Sequence, residues 1–333
     1  MSNFRERLQR FLDLRSESGK VEQLTPDAST REYFRVGWRS STAIACVYPE
    51  PFRAAEHNYI DVTGLLTAAG LPVAAILDID EELGVILQED FGDTILRDVL
   101  AVSDDAGKAE LIDRAIGLIA RIQQATALAF ERGSIASQLR FDSEKLLWEL
   151  EFFRTHYFET LRNRPLSGAE DKALHAEFIE LSGELESRAS TLCHRDFHAA
   201  NIMVDQNGGL RVIDHQDARI GTRSYDLVSL LLDRVTEPPT AEWLAAKRSV
   251  LLTKREELGL EAINEADFTY EFRLQTIQRC LKAIGTFSFQ SVKRGKTYFV
   301  PFIEPMFEIV LRACGNLDRF PVMMNIIRRE NAD

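Results

Sequence analysis

The chain has 333 residues, of which 45% are hydrophobic, so it is long enough for one large domain or for two lobes around a sizeable core. A formal net charge of −12 argues against a general role in binding nucleic acid or an anionic membrane surface, because both need a basic face. The four cysteines form no C-x-x-C pair, which is typical of reduced, buried thiols. With no signal peptide and no apolar run of membrane-spanning length visible, we expect a cytoplasmic protein.

The first 90 residues are predicted to be rich in strands. Helical spacing covers about the first 20 residues, and turn chemistry follows at Thr25-Pro26-Asp27. The segments "EYFRV" and "STAIACVY" favour strands, and a helix is predicted from about Ala54 to Gly70. Two further strands are predicted in "LPVAAILDID" and "LGVILQED".

Helical spacing dominates after "EDFGD" (89–93). Ser103 is predicted to cap one helix, another is predicted over 143–158, and more follow from Tyr225. Two short strands interrupt this part, around Leu192 and in "LRVID". Strands followed by helices predict an α+β fold, with an N-terminal lobe of residues 1–90 and a helical C-terminal lobe of residues 91–333. The cleft between two such lobes is a natural place for a ligand.

The stretch "TLCHRDFHAANIMVDQNGGLRVIDHQDA" (191–218) carries the densest set of reactive side chains. His194-Arg195-Asp196 is followed by Asn201, and Asp214 ends the strand "LRVID". The tight turn Asn207-Gly208-Gly209 would bring Asn201 and Asp214 together. A carboxylate can orient a hydroxyl and take its proton, and amide and carboxylate oxygens suit Mg²⁺. The alternative is a polar hairpin with local caps; no spacing among the histidines resembles a zinc motif.

The pattern H-x-D-x-x-x-x-N, with an Asp after the next short strand, resembles the catalytic and metal-binding loops of the aminoglycoside phosphotransferase branch of the protein-kinase-like fold. This resemblance implies a two-lobed, ATP-dependent kinase acting on a small molecule. It implies that Asp196 is the catalytic base, that His194 holds the loop, and that Asn201 and Asp214 bind Mg²⁺. Asp226, in "SYDLVSLLLD", would brace the catalytic loop from below, or would be an ordinary charge at a helix N-terminus.

The resemblance extends to the nucleotide site. "EDFGD" resembles the hinge that ends the small lobe, which implies that adenine binds the main chain of Gln88, Glu89 and Asp90. The segment "DASTREYFRV" lies where the family has its phosphate-covering loop. Backbone N–H groups and one guanidinium could be offered there by Ser29, Thr30 and Arg31.

The chain departs from the wider kinase pattern in two ways. It has no G-x-G-x-x-G loop, and the third strand, "TAIACVYPEP", has no Lys to bind phosphate. Glu56 could begin the next helix as the usual partner of that Lys, although a solvated charge is the simpler interpretation. Either Arg31 or Arg35 replaces the Lys, or the protein binds a nucleotide without turnover.

Three segments resemble bacterial anomeric sugar kinases that phosphorylate N-acetylmuramate and N-acetylglucosamine at C1. They are "ASTREYFR" (28–35), "DHQDARIGTRSYDLVSLL" (214–231) and "QRCLKAIGTF" (278–287). Members of that subgroup also lack the strand Lys, which favours an active enzyme of cell-wall sugar recycling. An aminoglycoside, choline, homoserine or glucosamine acceptor remains open. A protein kinase fits poorly, because there is no A-P-E segment.

The acceptor site of this family is built by helices beyond the metal-binding Asp. In "FRLQTIQRCLKAIGTF" one helical stripe is apolar and another is polar, and the polar one contains Gln278, Arg279 and Lys282. The two stripes could simply be a core face and a solvated face, or the polar one could face the acceptor. Asp217 and Arg219 could bond sugar hydroxyls or pair with each other. A basic or neutral wall suits an amino sugar better than a polycationic drug.

Overall fold

The computed structural model describes residues 4–24 and 30–330. The expected turn at Thr25-Pro26-Asp27 and the expected phosphate contact of Ser29 lie outside these residues. Within them, an antiparallel sheet is followed by a mostly helical part, which is the predicted α+β order. No helix in the described part of the chain is both long and apolar enough to cross a bilayer.

The N-terminal sheet has five strands in the order β1-β2-β3-β5-β4, each antiparallel to its neighbours. Side chains alternate between its two faces, as the period of a strand requires. One face packs under the first helix around Leu8, Phe11, Phe34 and Leu87. The strands are β1 (Val21–Leu24), β2 (Glu32–Trp38), β3 (Ser41–Val47), β4 (Ile76–Asp80) and β5 (Val85–Glu89).

The other face of the sheet, the inner face, carries Arg31, Tyr33, Arg35, Cys46 and Gln88. Their places follow from the strand alternation, and Tyr33 is paired directly with Cys46 across β2 and β3. Two helices accompany the sheet, α1 (Phe4–Asp13) and α2 (Asn58–Ala68). Because α2 lies on the side of the inner face, it stands between the sheet and the C-terminal part.

The C-terminal part is built around α11, the longest of the described helices, many of whose residues are buried. The helices are α3 (Leu96–Val102), α4 (Asp105–Gln124), α5 (Thr126–Glu131), α6 (Ile135–Gln138), α7 (Ser143–Arg154), α8 (Gly168–Arg188), α9 (Tyr225–Leu232), α10 (Ala241–Glu257), α11 (Glu265–Lys293), α12 (Ile303–Leu317) and α13 (Pro321–Glu330). Two short antiparallel pairs of strands hold the reactive loops. The first pairs β6 (Thr191–Cys193) with β9 (Arg219–Gly221), and the second pairs β7 (Ile202–Val204) with β8 (Leu210–Val212).

Several local predictions need correction. Ser103 does not cap α4; the N-cap is Asp104, whose carboxylate accepts from the N–H of Gly107 at 2.8 Å. The chain near Ala54 forms only a short 3₁₀ turn, and α2 begins at Asn58. The helix predicted over 143–158 is α-helical to Arg154 and continues as a π-helical turn, Thr155–Leu161. The helices α3, α5, α6 and α8 and the strands β1, β7 and β9 were not predicted.

Helices α7 and α11 approach each other closely at Gly285. A Cβ atom there would lie 2.6 Å from the Cα of Phe153, so only glycine fits. We expect Gly285→Ala to lower the free energy of unfolding by about 1–3 kcal/mol, as overpacking does. Gly117→Ala in α4 is the control, because nothing lies within 4 Å of its added Cβ. That change should stabilise the protein by about 0.5–1 kcal/mol. Urea unfolding measures both, and equal effects would contradict the close contact.

Candidate active site

The loop that contains Asp196 is held from below by Asp226, in the first turn of α9. The Asp226 carboxylate accepts the backbone N–H of His194 at 2.7 Å and that of Arg195 at 3.1 Å. His194 Nε2 donates to the carbonyl oxygen of Ile213 at 2.9 Å, which ties the loop to the end of β8. The predicted bracing role of Asp226 is therefore confirmed. Burial raises the pKa of Asp226 to about 6, despite the two backbone N–H groups that it accepts.

Three cations surround the Asp196 carboxylate. Arg279 Nη2 lies 3.4 Å from Oδ1, Lys282 Nζ lies 3.5 Å from the same oxygen, and Arg195 Nε lies 3.8 Å from Oδ2. Burial by itself raises the pKa of a carboxyl, but these charges outweigh it and hold the pKa of Asp196 well below its ordinary value. The side chain is 28% exposed, so the ionised carboxylate can accept a hydrogen bond from a hydroxyl in the cleft.

A buried acid, Glu149 of α7, stands behind Lys282 and was not anticipated. Lys282 Nζ lies 3.9 Å from Glu149 Oε1, and Gln278 Nε2 donates to Glu149 Oε2 at 2.8 Å. Gln278 is fully buried, and its amide oxygen accepts from Gln275 at 2.9 Å. The sequence did contain a signal, because "LLWELEFF" places an acid among the core residues Leu146 and Leu150. Gln278 therefore positions Glu149, and Lys282 bridges Glu149 to Asp196.

The other side chains predicted to bind the acceptor are Arg279, Asp217 and Arg219, and each of them has a partner within the protein. Arg279 Nε donates to the hydroxyl of Ser229 at 2.8 Å, which fixes the guanidinium beside Asp196. Asp217 accepts from Arg195 at 2.8 Å, and Arg219 Nε donates to the Asp217 carbonyl at 3.0 Å. Asp217 and Arg219 thus lie in an ion-paired loop at the same end of the cleft as Asp196.

Asn201 and Asp214 come together across the β7–β8 hairpin. Asn201 Nδ2 donates to the Asp196 carbonyl at 2.9 Å and lies 3.4 Å from Asp214 Oδ2. With that nitrogen engaged, the amide oxygen of Asn201 is the atom left for a cation. Asp214 is exposed, follows β8 by two residues, and has φ of 64°. One amide and one carboxylate oxygen fit Mg²⁺, which takes one or two protein ligands and draws the rest from phosphates and water.

Helix α2 connects the sheet to the Asp214 loop. The hydroxyl of Tyr59 donates to the side chain of Gln88, and its ring stacks on His215 with 5.0 Å between centroids. His215 Nε2 donates to the Thr63 hydroxyl at 2.7 Å, since that hydroxyl already donates to the Tyr59 carbonyl. Burial lowers the pKa of His215 to about 3, so the ring is neutral. Because His215 is bound inside the protein, its ring stabilises the loop rather than serving as a metal ligand.

The side chains of Gln88 and Asp90, and the main-chain N–H of Glu89, are already hydrogen-bonded within the protein. Asp90 is bound by Arg35 Nε at 2.7 Å and by the Thr42 hydroxyl at 2.7 Å. The Gln88 side chain is used by Tyr59, and the Glu89 N–H donates to the Ala75 carbonyl at 2.9 Å. The side chains of Gln88 and Asp90 therefore stabilise the hinge itself.

The two arginines that could replace the missing Lys differ in their surroundings. Arg35 is held by Asp90 and also donates to Asp93 at 2.7 Å, at the hinge end of β2. Arg31 lies at the other end of the inner face, with its guanidinium 5.6 Å from the Tyr48 ring and 3.5 Å from the Tyr48 hydroxyl. Arg31 therefore stands away from the Asp90–Asp93 pair that holds Arg35.

Glu56 does not pair with either arginine of the inner face. Its side chain is 72% exposed and lies 3.4 Å from Arg53, on the same short 3₁₀ turn. The simpler interpretation of Glu56, a solvated charge, is confirmed. Thr30 is exposed at the start of the same segment as Arg31.

The charge of Lys282 gives a testable pH dependence. Lys282 helps to hold the pKa of Asp196 low, so Lys282→Met should raise that pKa. A carboxylate with a higher pKa is protonated at higher pH, so the acid limb of kcat/KM should move to higher pH. Lys282→Arg keeps the charge and should leave the limb in place. An identical acid limb in Lys282→Met would show that the cation does not control Asp196.

A family model described as "Phosphotransferase enzyme family" (APH) matches residues 20–260. The chain belongs to this family. This phosphotransferase is 28% identical over 288 residues to the N-acetylmuramate/N-acetylglucosamine kinase of Neisseria meningitidis serogroup B, covering 86% of this chain and 83% of the relative. It is 29% identical over 300 residues to the protein of the same name from Pseudomonas aeruginosa, covering 84% and 80%.

The family's fold is also found in solved structures. The ADP-bound aminoglycoside phosphotransferase APH(2'')-Ib matches with a TM-score of 0.56 and 12% identity, over 91% of this chain and 97% of the other. The predicted protein-kinase-like fold is thereby confirmed, as is the predicted resemblance to the amino-sugar kinases. The protein is a phosphotransferase with a hydroxyl acceptor.

Proposed function

We propose that this phosphotransferase transfers the γ-phosphoryl group of ATP to the C1 hydroxyl of N-acetylmuramate or N-acetylglucosamine. The observation that carries the proposal is the ionised Asp196, held between cations next to the Asn201–Asp214 pair. The names of the amino-sugar kinase relatives supply the acceptor class. In this proposal residues 1–90 form the nucleotide-binding lobe, and residues 91–333 form the catalytic and acceptor-binding lobe.

Asp196 would receive the acceptor hydroxyl as a hydrogen-bond donor and aim its oxygen at the γ-phosphorus. A bond forms between that oxygen and phosphorus while the bond from phosphorus to the β–γ bridging oxygen breaks. Because its pKa is low, Asp196 takes the hydroxyl proton only as the new bond forms, which suits a loose transition state. His194 keeps the loop in place through Ile213. Mg²⁺, held by Asn201 and Asp214, would offset the negative charge of the phosphates.

The acceptor would bind on the cationic side of Asp196. Lys282 and Arg279 favour a neutral or anionic group, such as a sugar hydroxyl or a carboxylate, and disfavour a polycation. Arg219 and Asp217 would bond hydroxyls on the far side of the ring. Gln278 acts through Glu149 and does not contact the acceptor.

ATP would bind in the cleft between the inner face of the sheet and the Asn201–Asp214 pair. The main chain of Gln88, Glu89 and Asp90 would bind adenine at the hinge. Thr30 would offer a backbone N–H to the phosphates. Arg31 would supply the cation that the third strand lacks, since it lies next to the segment expected to cover the phosphates, whereas Arg35 is held at the hinge by Asp90 and Asp93.

The role of Arg31 has a direct test. We expect Arg31→Ala to raise KM for ATP about 10- to 100-fold, because a charged hydrogen bond contributes about 1.5–3 kcal/mol. Arg31→Lys should recover part of the loss. Arg35→Ala is the matched comparison, and it should act mainly through stability by releasing Asp90. Coupled assays of ADP release measure KM, and a larger KM effect in Arg35→Ala would contradict the assignment.

The proposed reaction is tested by ³¹P NMR of mixtures of the enzyme, ATP and Mg²⁺ with one acceptor at a time. The acceptors are N-acetylglucosamine, N-acetylmuramate, glucosamine, kanamycin and choline. A sugar 1-phosphate with the N-acetylated sugars, absent in Asp196→Asn, is the expected result. Transfer only to another acceptor would reject the proposed N-acetylated sugar as substrate and retain the proposed mechanism of phosphoryl transfer. Binding of ATP without any transfer would favour the silent nucleotide-binding protein instead.

A further inference from the structure

A cluster of partly exposed aromatic side chains lies beside the Glu149–Lys282 pair, and we call it the aromatic wall. It consists of Trp148, Phe152, His156 and Phe289. The ring centroids of Phe152 and Phe289 are 5.7 Å apart, those of His156 and Phe289 are 5.0 Å apart, and those of Trp148 and Phe152 are 5.5 Å apart. The wall is therefore one continuous surface from α7 across to α11.

The wall continues the polar centre of the candidate site along both helices. On α11, Phe289 follows Lys282 by seven residues, which returns a side chain to the same helical stripe. On α7, Phe152 follows Glu149 by three residues, a rise of about 4.5 Å. The two helices run in the same direction here. Their contact between Glu149 and Lys282 is followed, further along both helices, by the contact between Phe152 and Phe289. The aromatic wall thus continues from this pair, with Phe152 about one turn beyond Glu149 and Phe289 about two turns beyond Lys282.

The wall is accessible from the surface. Trp148 is 56% exposed, and Phe152, His156 and Phe289 are only partly buried. Lys145 Nζ lies 4.1 Å from the Trp148 ring centroid, so a positive charge stands at the end of the wall formed by Trp148. Ligand sites commonly combine such apolar and aromatic surface with a few polar groups that fix orientation.

We propose that the aromatic wall binds the apolar face of the acceptor's pyranose ring, while Asp196 and Lys282 hold its reacting end. This inference rests on the proposed function and names a second part of the same acceptor site. A pyranose has one face of C–H groups that stacks on aromatic rings, and an N-acetyl group adds a methyl of similar character. Aromatic rings also attract quaternary ammonium groups, so it is the positive charge of Lys145 beside the Trp148 ring that disfavours choline and a polycation here.

Binding can be observed without catalysis, because Trp148 is one of three tryptophans. In a Trp38→Phe, Trp243→Phe background, titration with N-acetylglucosamine in the absence of nucleotide should change Trp148 fluorescence in a saturable way. Phe289→Ala in that background should weaken the Kd about 10-fold, the effect of losing one stacking contact. Phe289→Leu keeps apolar volume and removes the ring, so it serves if the alanine variant unfolds. Phe130→Ala is the control, because Phe130 is a 57% exposed aromatic of α5.

Kinetics separate this inference from the function on which it rests. Phe289→Leu and Phe152→Leu should each raise KM for the sugar about 10-fold and leave KM for ATP unchanged. Phe289→Tyr should behave as the wild type does. Unchanged sugar KM in both leucine variants, with phosphoryl transfer intact, would overturn the aromatic wall and leave the proposed function standing. Absence of transfer by the wild-type enzyme to either N-acetylated sugar would overturn the proposed function itself.

Discussion

Asp196→Asn is expected to lower kcat by about 10²- to 10⁴-fold, the usual contribution of a positioned acid or base. An amide can still accept a hydrogen bond from the acceptor, but it cannot take the proton that the hydroxyl loses. It also leaves the charges of Arg279, Lys282 and Arg195 without their common partner. Single-turnover measurement of phosphoryl transfer, with saturating ATP and acceptor, gives the loss directly.

The matched control is Asp105→Asn, which changes a fully exposed carboxylate in the first turn of α4. Thermal melts should show both variants folded, because each replaces a side chain by one of nearly the same volume. Retention of more than about a tenth of wild-type kcat in Asp196→Asn would remove it from the role of base.

Asp226→Ala is expected to lower the free energy of unfolding by about 2–6 kcal/mol. It leaves the N–H groups of His194 and Arg195 buried without an acceptor, and each unsatisfied group costs about 1–3 kcal/mol. Because those N–H groups fix the catalytic loop, kcat should fall as well. Urea unfolding and steady-state rates measure the two effects. Asp226→Asn keeps one acceptor oxygen and should lie between the wild type and the alanine variant.

The raised pKa of Asp226 also determines how the free energy of unfolding changes with pH. Its pKa rises from 3.8 when unfolded to about 6 when folded, so the protonated form is favoured by folding. The resulting stability is fully present below about pH 4 and is lost as pH rises through about 6. The stability of the wild type relative to Asp226→Asn should therefore decrease between these two values. A difference that grows with pH would contradict the buried carboxylate.

The clustering of the candidate catalytic and metal-binding side chains could be predicted because it is local in sequence. Asp196, Asn201 and Asp214 fall within one short segment, and a single hairpin turn brings them together. Glu149 could not be predicted in the same way, because 133 residues separate it from Lys282. The sign of Glu149 in the sequence was an acidic residue within an apolar helical stripe.

The choice between Arg31 and Arg35 also depended on distant partners. Both lie on the inner face of the sheet, and the approach of Asp90 and Asp93 to Arg35 distinguishes them among the described residues. The strands β7 and β9 have three residues each, which is too short for alternation to show. Ser103 and Asp104 are both good N-caps, so the sequence alone could not select between them.

Helix α2 is hydrogen-bonded to the C-terminal part at two separate places. Thr63 accepts from His215, and Asp61 accepts from the Ser134 hydroxyl and from the Ile135 N–H at 3.0 Å. In protein kinases, the position of the helix after the third strand is controlled by phosphorylation of the activation loop. Here contacts of the folded chain itself hold that helix, so its position requires no covalent modification of a separate loop.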